Sequence, residues 1–346
     1  MSNVAQNFYQ NIALGAYSSI VEWSKIGYTP TMNATESDIW SNAGVYAFPQ
    51  IADGYPKGLE VYSSNAQDSG TYIHGNAQGA NAIVCDATGS ATELNDTSVN
   101  FLTDGGVAAV AGDYIIIDPY GASPEWGIIT TVAATKLTFA NGLSAGGNCA
   151  TARPYSVLDF SAFSGAQAIQ VRYLTGTYTQ KTEIIKLAAG EVATVNTDYY
   201  RINSFRIIAT GSGYKAAAAV QIREIDNAPI FSSILAGFTR ARNVAYTVPT
   251  GMTLYITDFT PGYGLTGASK VEYARIYLKA NVEPSTYFLT NNIFYPFYET
   301  TLGVGALSVP PPIPLKFPAK TDLRVSGVAS DAGIASVTLR GFLVTN

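Results

Sequence analysis

The chain is short of charge. Of its 346 residues only 13% are Asp, Glu, Lys or Arg, and the net charge is −5. No Lys/Arg cluster is present, so binding through a phosphate backbone has no electrostatic support and nucleic acid is not an expected partner. The acids are scattered too, which excludes an acidic tail. Histidine occurs once, at His74, in the Gly/Asn-rich stretch TYIHGN. With no second histidine, cysteine or clustered carboxylate beside it, His74 reads as a loop residue, and no metal or cofactor is expected. The two cysteines, Cys85 and Cys149, are too few for a disulfide framework. Apolar runs fall well short of the roughly 20 residues a membrane helix needs. The opening MSNVAQNFYQ lacks the charged and apolar regions of a secretory signal, so the reading is a protein made and folded in the cytosol, with no membrane partner. A phosphate-cradling glycine loop is also missing: Gly211–Gly213 joins two strand-like runs, with no helix following it.

What is abundant points to β structure. There are 23 Tyr, 15 Phe and 32 Gly, together with many Thr, Ser, Ala and Asn, the composition of strands joined by frequent turns. Ala168–Tyr173 (AIQVRY) sets Ile169, Val171 and Tyr173 against Gln170 and Arg172, the period-two pattern of a half-buried strand. Thr182–Leu187, Tyr199–Thr210, Leu59–Ser63, Ala216–Ile225, Val271–Lys279, Thr321–Val328 and Ser336–Val344 read as further strands. Val244–Asp258 reads as a hairpin, with Pro249 and Gly251 supplying the turn. Val309–Pro318 must be extended and is unsuited to a central strand.

These signals predict an all-β fold, an antiparallel β-sandwich of jelly-roll-like type. Residues 36–79 and 157–346 form the sandwich. Residues 80–156 differ in texture, with about five short strands at roughly ten-residue spacing, and are expected to form an inserted small β-barrel. Its ends should lie close together, as for any module inserted at a surface loop. Residues 1–35 are expected to be an extended N-terminal arm carrying Phe8, Tyr9, Tyr17, Trp23 and Tyr28. Such an arm either wraps a neighbouring subunit or adds a strand to the protein's own core.

Chemistry is sparse. Paired carboxylates of a glycoside hydrolase would have to come from residues such as Asp159, Glu183, Asp198 and Glu224. Each alternates into a solvent face, so the reading is non-enzymatic. Cys85 and Cys149 could meet where the first and last strands of the module pair, but buried packing cysteines are preferred over a disulfide or a reactive thiol. The tyrosines could present a carbohydrate platform; core and subunit contacts are the commoner use of a ring with one polar tip. Low charge, many aromatics, an arm and the proline-rich Pro310, Pro311 and Pro312 fit a subunit that buries much of its surface in an assembly.

The succession SSNAQDSG, SGAQAIQVRYLTGTYTQKTEIIKLAAGE, DYYRINSFRIIATGSG and YTVPTGMTLYITD resembles a family of tailed-bacteriophage virion proteins. The matching positions are Asp68, Gly165, Ala166, Val171, Tyr173, Leu174, Glu183, Leu187, Gly190, Arg201, Ile202, Tyr246, Val248, Pro249, Gly251 and Thr253. The resemblance runs from about residue 36 to residue 346. It departs from the family where the module separates Asp68 from Gly165; the module is itself similar to small β modules inserted in phage structural proteins, through Ala91–Phe101 and Gly112–Ile116. The resemblance implies a virion structural protein, foremost a capsid cement or decoration protein on the capsid surface, assembled in the host cytoplasm. Its partners would be the major capsid protein and copies of itself in a trimer. Phe8, Tyr9, Tyr17, Trp23, Tyr28 and Pro310–Pro312 would be the contact residues. A tail, baseplate or fibre-adaptor protein touching a host glycan is the alternative.

Overall fold

A computed structural model gives the architecture. It describes residues 17–346 apart from 43, 50–52, 76–83, 86, 105, 122–123, 141–152, 226–227, 267–272 and 283–293. Among these residues every extended element is a strand, every pairing between strands is antiparallel and there is no α-helix. The protein is an all-β sandwich protein.

The residues form two sandwiches, each with its own core. In the first, Ala166–Leu174 lies between Gln180–Lys186 and Arg201–Thr210. Facing it is a four-stranded sheet of Gly190–Ala193, Glu60–Ser63, Val220–Arg223 and Ile230–Ile234. Ile169, Val171 and Tyr173 meet Val61, Val220, Ile222 and Phe231 in the shared core. In the second, Gly333–Thr345 lies between Ile20–Met32 and Met252–Leu265, with Leu315–Phe317 and Gly305–Ala306 on the far side of Met252–Leu265. The opposing sheet runs Tyr246–Thr247, Asp322–Ala329, Ala274–Asn281 and Tyr295–Leu302. Leu254, Ile256, Phe259 and Leu339 pack on Ile276, Leu278, Leu323 and Val325. A register shift between Ile256 and Asp258 lets Leu254 and Ile256, then Phe259, all point inward, as a one-residue bulge does.

Two expectations are corrected here, and a third is decided between its two alternatives. First, the expected hairpin at Val244–Asp258 is no hairpin. Gly251 has the positive φ of the expected turn, yet Tyr246 pairs with Leu323 while Met252–Leu265 pairs with Gly333–Thr345. The turn passes the chain from one sheet to the other. Second, of the two uses expected of the arm, residues 20–32 take the strand on the protein's own core. They form a thirteen-residue strand paired with the C-terminal strand from Ile20↔Val344 to Met32↔Gly333. Third, no closed barrel forms among the described residues. The inserted sheet has the order Tyr72–His74, Tyr155–Leu158, Tyr114–Ile117, Glu125–Ala133, Lys136–Ala140, Glu93–Asn95, Ala87–Ser90, and its two outermost strands do not pair with each other.

The inserted sheet starts before residue 80. Val157 pairs with His74 and Leu158 with Tyr72, so entry and exit run side by side. One face encloses a core of Ile115, Ile117, Leu137, Phe139 and Tyr155. The other carries Tyr114, Ile116 and Leu158 onto Ala168, Ile184 and Ile208 of the first sandwich. That cover explains why Ala166–Leu174 is buried on both faces nearly to its end: Gln170 is buried and only Arg172 is exposed.

Buried polar bonds hold the interruption and the junction. Asp68 accepts Ser63 Oγ and the amides of Ala166, Ala217 and Ala218, each at 2.8 Å. Gly165 donates to Gln67 O at 3.0 Å; a Cβ there would lie 2.3 Å from Asp68 Oδ1. The Asp-to-Gly-Ala turn seen across the sequence gap is thus one turn in space. Between the sandwiches, Asn203 Nδ2 donates to Thr247 O at 2.8 Å and Thr247 N donates back to Asn203 Oδ1 at 2.9 Å. Arg201 reaches Asp322 beside them.

Candidate functional site

The residues expected to make contacts divide sharply. Phe8 and Tyr9 lie outside the described residues. Tyr17 is exposed. Trp23 is buried in the second core, 5.1 Å edge-to-face from Tyr246. Tyr28 is half-buried: its amide donates to Arg242 O and the Arg242 guanidinium sits 6.0 Å from its ring. Trp23 and Tyr28 therefore serve the chain's own fold. Pro310 and Pro312 are exposed and Pro311 is buried.

The exposed prolines belong to a larger apolar surface. Tyr295–Leu302 is the last strand of its sheet and, among the described residues, pairs on one side only. Its inward residues Tyr298 and Leu302 pack on the core, with Tyr298 5.7 Å edge-to-face from Phe259. Tyr295 and Phe297 are 55% and 44% exposed, and Val304, Leu307 and Ile313 follow at 60%, 48% and 76%. Phe297 contacts Phe317 at 5.3 Å, which brings the edge strand against the end of the proline-rich segment. Pro296 removes a ladder donor from that edge. Contacts here would be made by side chains; a further strand would find an incomplete ladder.

The four carboxylates considered for hydrolysis have separate structural partners. Glu183 does not face solvent: it is buried and accepts Val195 N at 2.8 Å, Asn196 N at 3.2 Å, Asn196 Nδ2 at 2.8 Å and Tyr199 OH at 2.8 Å. Burial raises its pKa, partly offset by these donors. Asp198 binds Tyr173 OH at 2.9 Å and Lys181 Nζ at 2.7 Å. Tyr173 and Tyr199 stack at 3.8 Å, so this cluster closes one end of the first core. Glu224 binds Tyr55 OH at 2.8 Å and Lys57. Asp159 caps its own turn at Ser161 N and Oγ, both at 2.7 Å.

His74 lies on a strand and is buried, not in an open loop. Its Nε2 is 3.3 Å from Phe101 O, its ring is 5.3 Å edge-to-face from Phe101, and burial lowers its pKa. Cys85 is disulfide-bonded, which corrects the packing-cysteine reading; Cys149 lies outside the described residues. Among the described residues no group of three His, Cys, Asp or Glu could hold a metal ion. No helix of the described residues is long and apolar enough to cross a membrane.

No family model matches the chain, and no curated protein matches it. Among solved structures, the VP2 subviral particle of infectious bursal disease virus aligns at 9% identity and a TM-score of 0.12, over 97% of this chain and 81% of that one. T=1 particles derived from infectious bursal virus align at 10% identity and a TM-score of 0.12, over 98% and 79%. Scores this low do not establish a shared fold.

Proposed function

We propose that this protein is a non-enzymatic structural component of a tailed-phage virion, foremost a cement or decoration protein on the capsid surface. It would bridge copies of itself, as a trimer, and the major capsid protein. The observation that carries this reading is the series of exposed apolar side chains Tyr295, Phe297, Val304, Leu307 and Ile313. Exposed apolar side chains recurring at this density mark a contact surface in a protein that must stay soluble. The resemblance to phage virion proteins supplies the setting. The mechanism is mechanical: many modest contacts add buried area between neighbouring subunits, with no single reacting group.

Two measurements test it. The protein should be present at head-shell copy number in purified virions; a copy number fit for a tail part would move it to the baseplate or fibre adaptor. In solution, Tyr295→Ser with Phe297→Ser should lower the oligomeric mass read by light scattering while leaving the melting temperature nearly unchanged. An oligomer that persists in this variant, or a monomeric wild-type protein, would remove the edge from the assembly role.

A further inference from the structure

A cleft at the junction of the two sandwiches gathers four basic side chains against a single carboxylate. It encloses about 500 Å³, within the range of small-ligand sites. Lys25 enters from Ile20–Met32, Arg172 from Ala166–Leu174, Arg206 from Arg201–Thr210 and Arg240 from the segment after Ile230–Ile234. Arg206 is paired with Gln170 across the sheet, which places Arg172 at its diagonal. On its other side Arg206 stands directly opposite Arg240 in an isolated antiparallel bridge. Like charges in such positions repel. Among the described residues none of the four makes an ion pair, and Glu22 is the only carboxylate among those lining the cleft.

The local bonds leave donors over. Arg206 Nε donates to Gln170 Oε1 at 2.8 Å, which occupies one of its five N–H groups. Burial, and then the charge of Arg172, lowers the Arg206 guanidinium from its ordinary value. Lys25 Nζ donates to the carbonyls of Asn203 and Asn243. The walls add Ser204 and the rings of Trp23 and Tyr246.

We propose that this cleft binds an oxyanion, a phosphate, sulfate or carboxylate group, either as a free ion or as the acidic group of a saccharide. Guanidinium forks match the paired oxygens of such groups. A partly desolvated setting strengthens the attraction, and a bound anion removes the repulsion among Arg172, Arg206 and Arg240. The site is independent of the apolar edge and goes beyond the assembly role.

The test is calorimetric titration of the full chain with sulfate, phosphate, glucuronate and glucose at matched ionic strength in chloride. Saturable binding of at least one of the three anions is expected, with none for glucose. Tighter binding of glucuronate than of the inorganic ions identifies an acidic sugar as the source; the reverse order identifies a free ion. Arg172 and Arg240 are exposed, so R172Q/R240Q should fold, and its affinity should fall about tenfold for each arginine removed. No saturable binding beyond the chloride control, or equal binding by R172Q/R240Q, would overturn the proposal.

Discussion

Arg201 and Asp322 form a two-bond ion pair across the junction of the sandwiches. Arg201 Nε donates to Oδ1 at 3.0 Å and Nη2 donates to Oδ2 at 2.9 Å, with both side chains almost fully buried. Thr247 Oγ1 also donates to Asp322, Arg201 Nη1 donates to Pro49 O, and the guanidinium lies 4.0 Å over the Tyr200 ring. A buried pair adds little net stability compared with apolar side chains of its size, but half of one is costly. Its value here is geometric, since it fixes one sandwich against the other.

Removing one partner should therefore cost more than removing both. Arg201→Met alone should destabilise by about 3–5 kcal/mol through the uncompensated carboxylate. Arg201→Met with Asp322→Leu should recover much of that loss. Urea unfolding of the two single variants and the double variant measures the coupling. A double variant whose loss equals the sum of the singles would show that the pair does not act as a unit.

Asp68 gives a second prediction. Asp68→Ala removes the acceptor of three amides and a hydroxyl; the Ala166 amide and the Ser63 hydroxyl are buried, and each costs about 1–3 kcal/mol when unsatisfied. Gly165→Ala forces a Cβ to within 2.3 Å of Asp68 Oδ1 and 2.7 Å of Gln67 O, and should lower stability by about 1–3 kcal/mol. Both should lower the melting temperature of the first sandwich. A Gly165→Ala protein that melts like wild type would show that the turn relaxes freely.

Lys25 sets a pH dependence. Burial lowers its ammonium from 10.5 to about 7. Arg172, Arg206, Arg240 and Glu22 line the same cleft, and the Tyr246 ring lies 5.6 Å from Lys25 Nζ. Between those values the unfolded chain holds a proton that the folded chain has released, so stability rises with pH from about 7 upward. Lys25→Met should flatten the rise in urea midpoint between pH 7 and pH 9. Its loss of the bonds to Asn203 O and Asn243 O should cost the same at both. An unchanged slope in the variant would assign the rise to another group.

The inserted sheet covers the first sandwich and encloses a core of its own. Tyr72 and Leu158 pair across it, so a short glycine-serine link can replace residues 73–157. The shortened chain should still unfold cooperatively, but it uncovers Ala168, Ile184 and Ile208 and should bind a hydrophobic dye strongly. Adding Ile184→Thr and Ile208→Thr should suppress the dye signal. Loss of cooperative unfolding would place the inserted sheet within the core of the first sandwich.

The class of fold was legible because its signals are local. Alternation in Ala168–Tyr173 and Ser336–Val344, and the proline–glycine turn at Pro249–Gly251, each mark structure within a few residues. Pairing partners are not local. Nothing near Tyr246 shows that its neighbour is Leu323, so the turn looked like a hairpin. Residues 20–32 looked like an arm because their partner strand lies at the other end of the chain. Glu183 follows the same rule: a carboxylate in an alternating strand reads as solvent-facing, and only the fold brings Val195, Asn196 and Tyr199 around it. The apolar face at Tyr295 and Ile313 lay partly in view through its prolines. The cationic cleft did not, because Lys25, Arg172, Arg206 and Arg240 are isolated in sequence and meet only where the two sandwiches do.

The pairing of Ile20–Met32 with Gly333–Thr345 also dictates an order of events during synthesis. The first sandwich draws its strands from Glu60 to Ile234 and can close while translation continues, as domains commonly do. The second cannot, because its middle strand, Gly333–Thr345, comes after all of its partner strands in the chain. Residues 20–32 wait unpaired beside the ribosome until that strand emerges, with Trp23 and Met32 uncovered. Closing so long a loop is slow. Premature termination anywhere after Ile234 would therefore release one finished sandwich attached to an adhesive remnant.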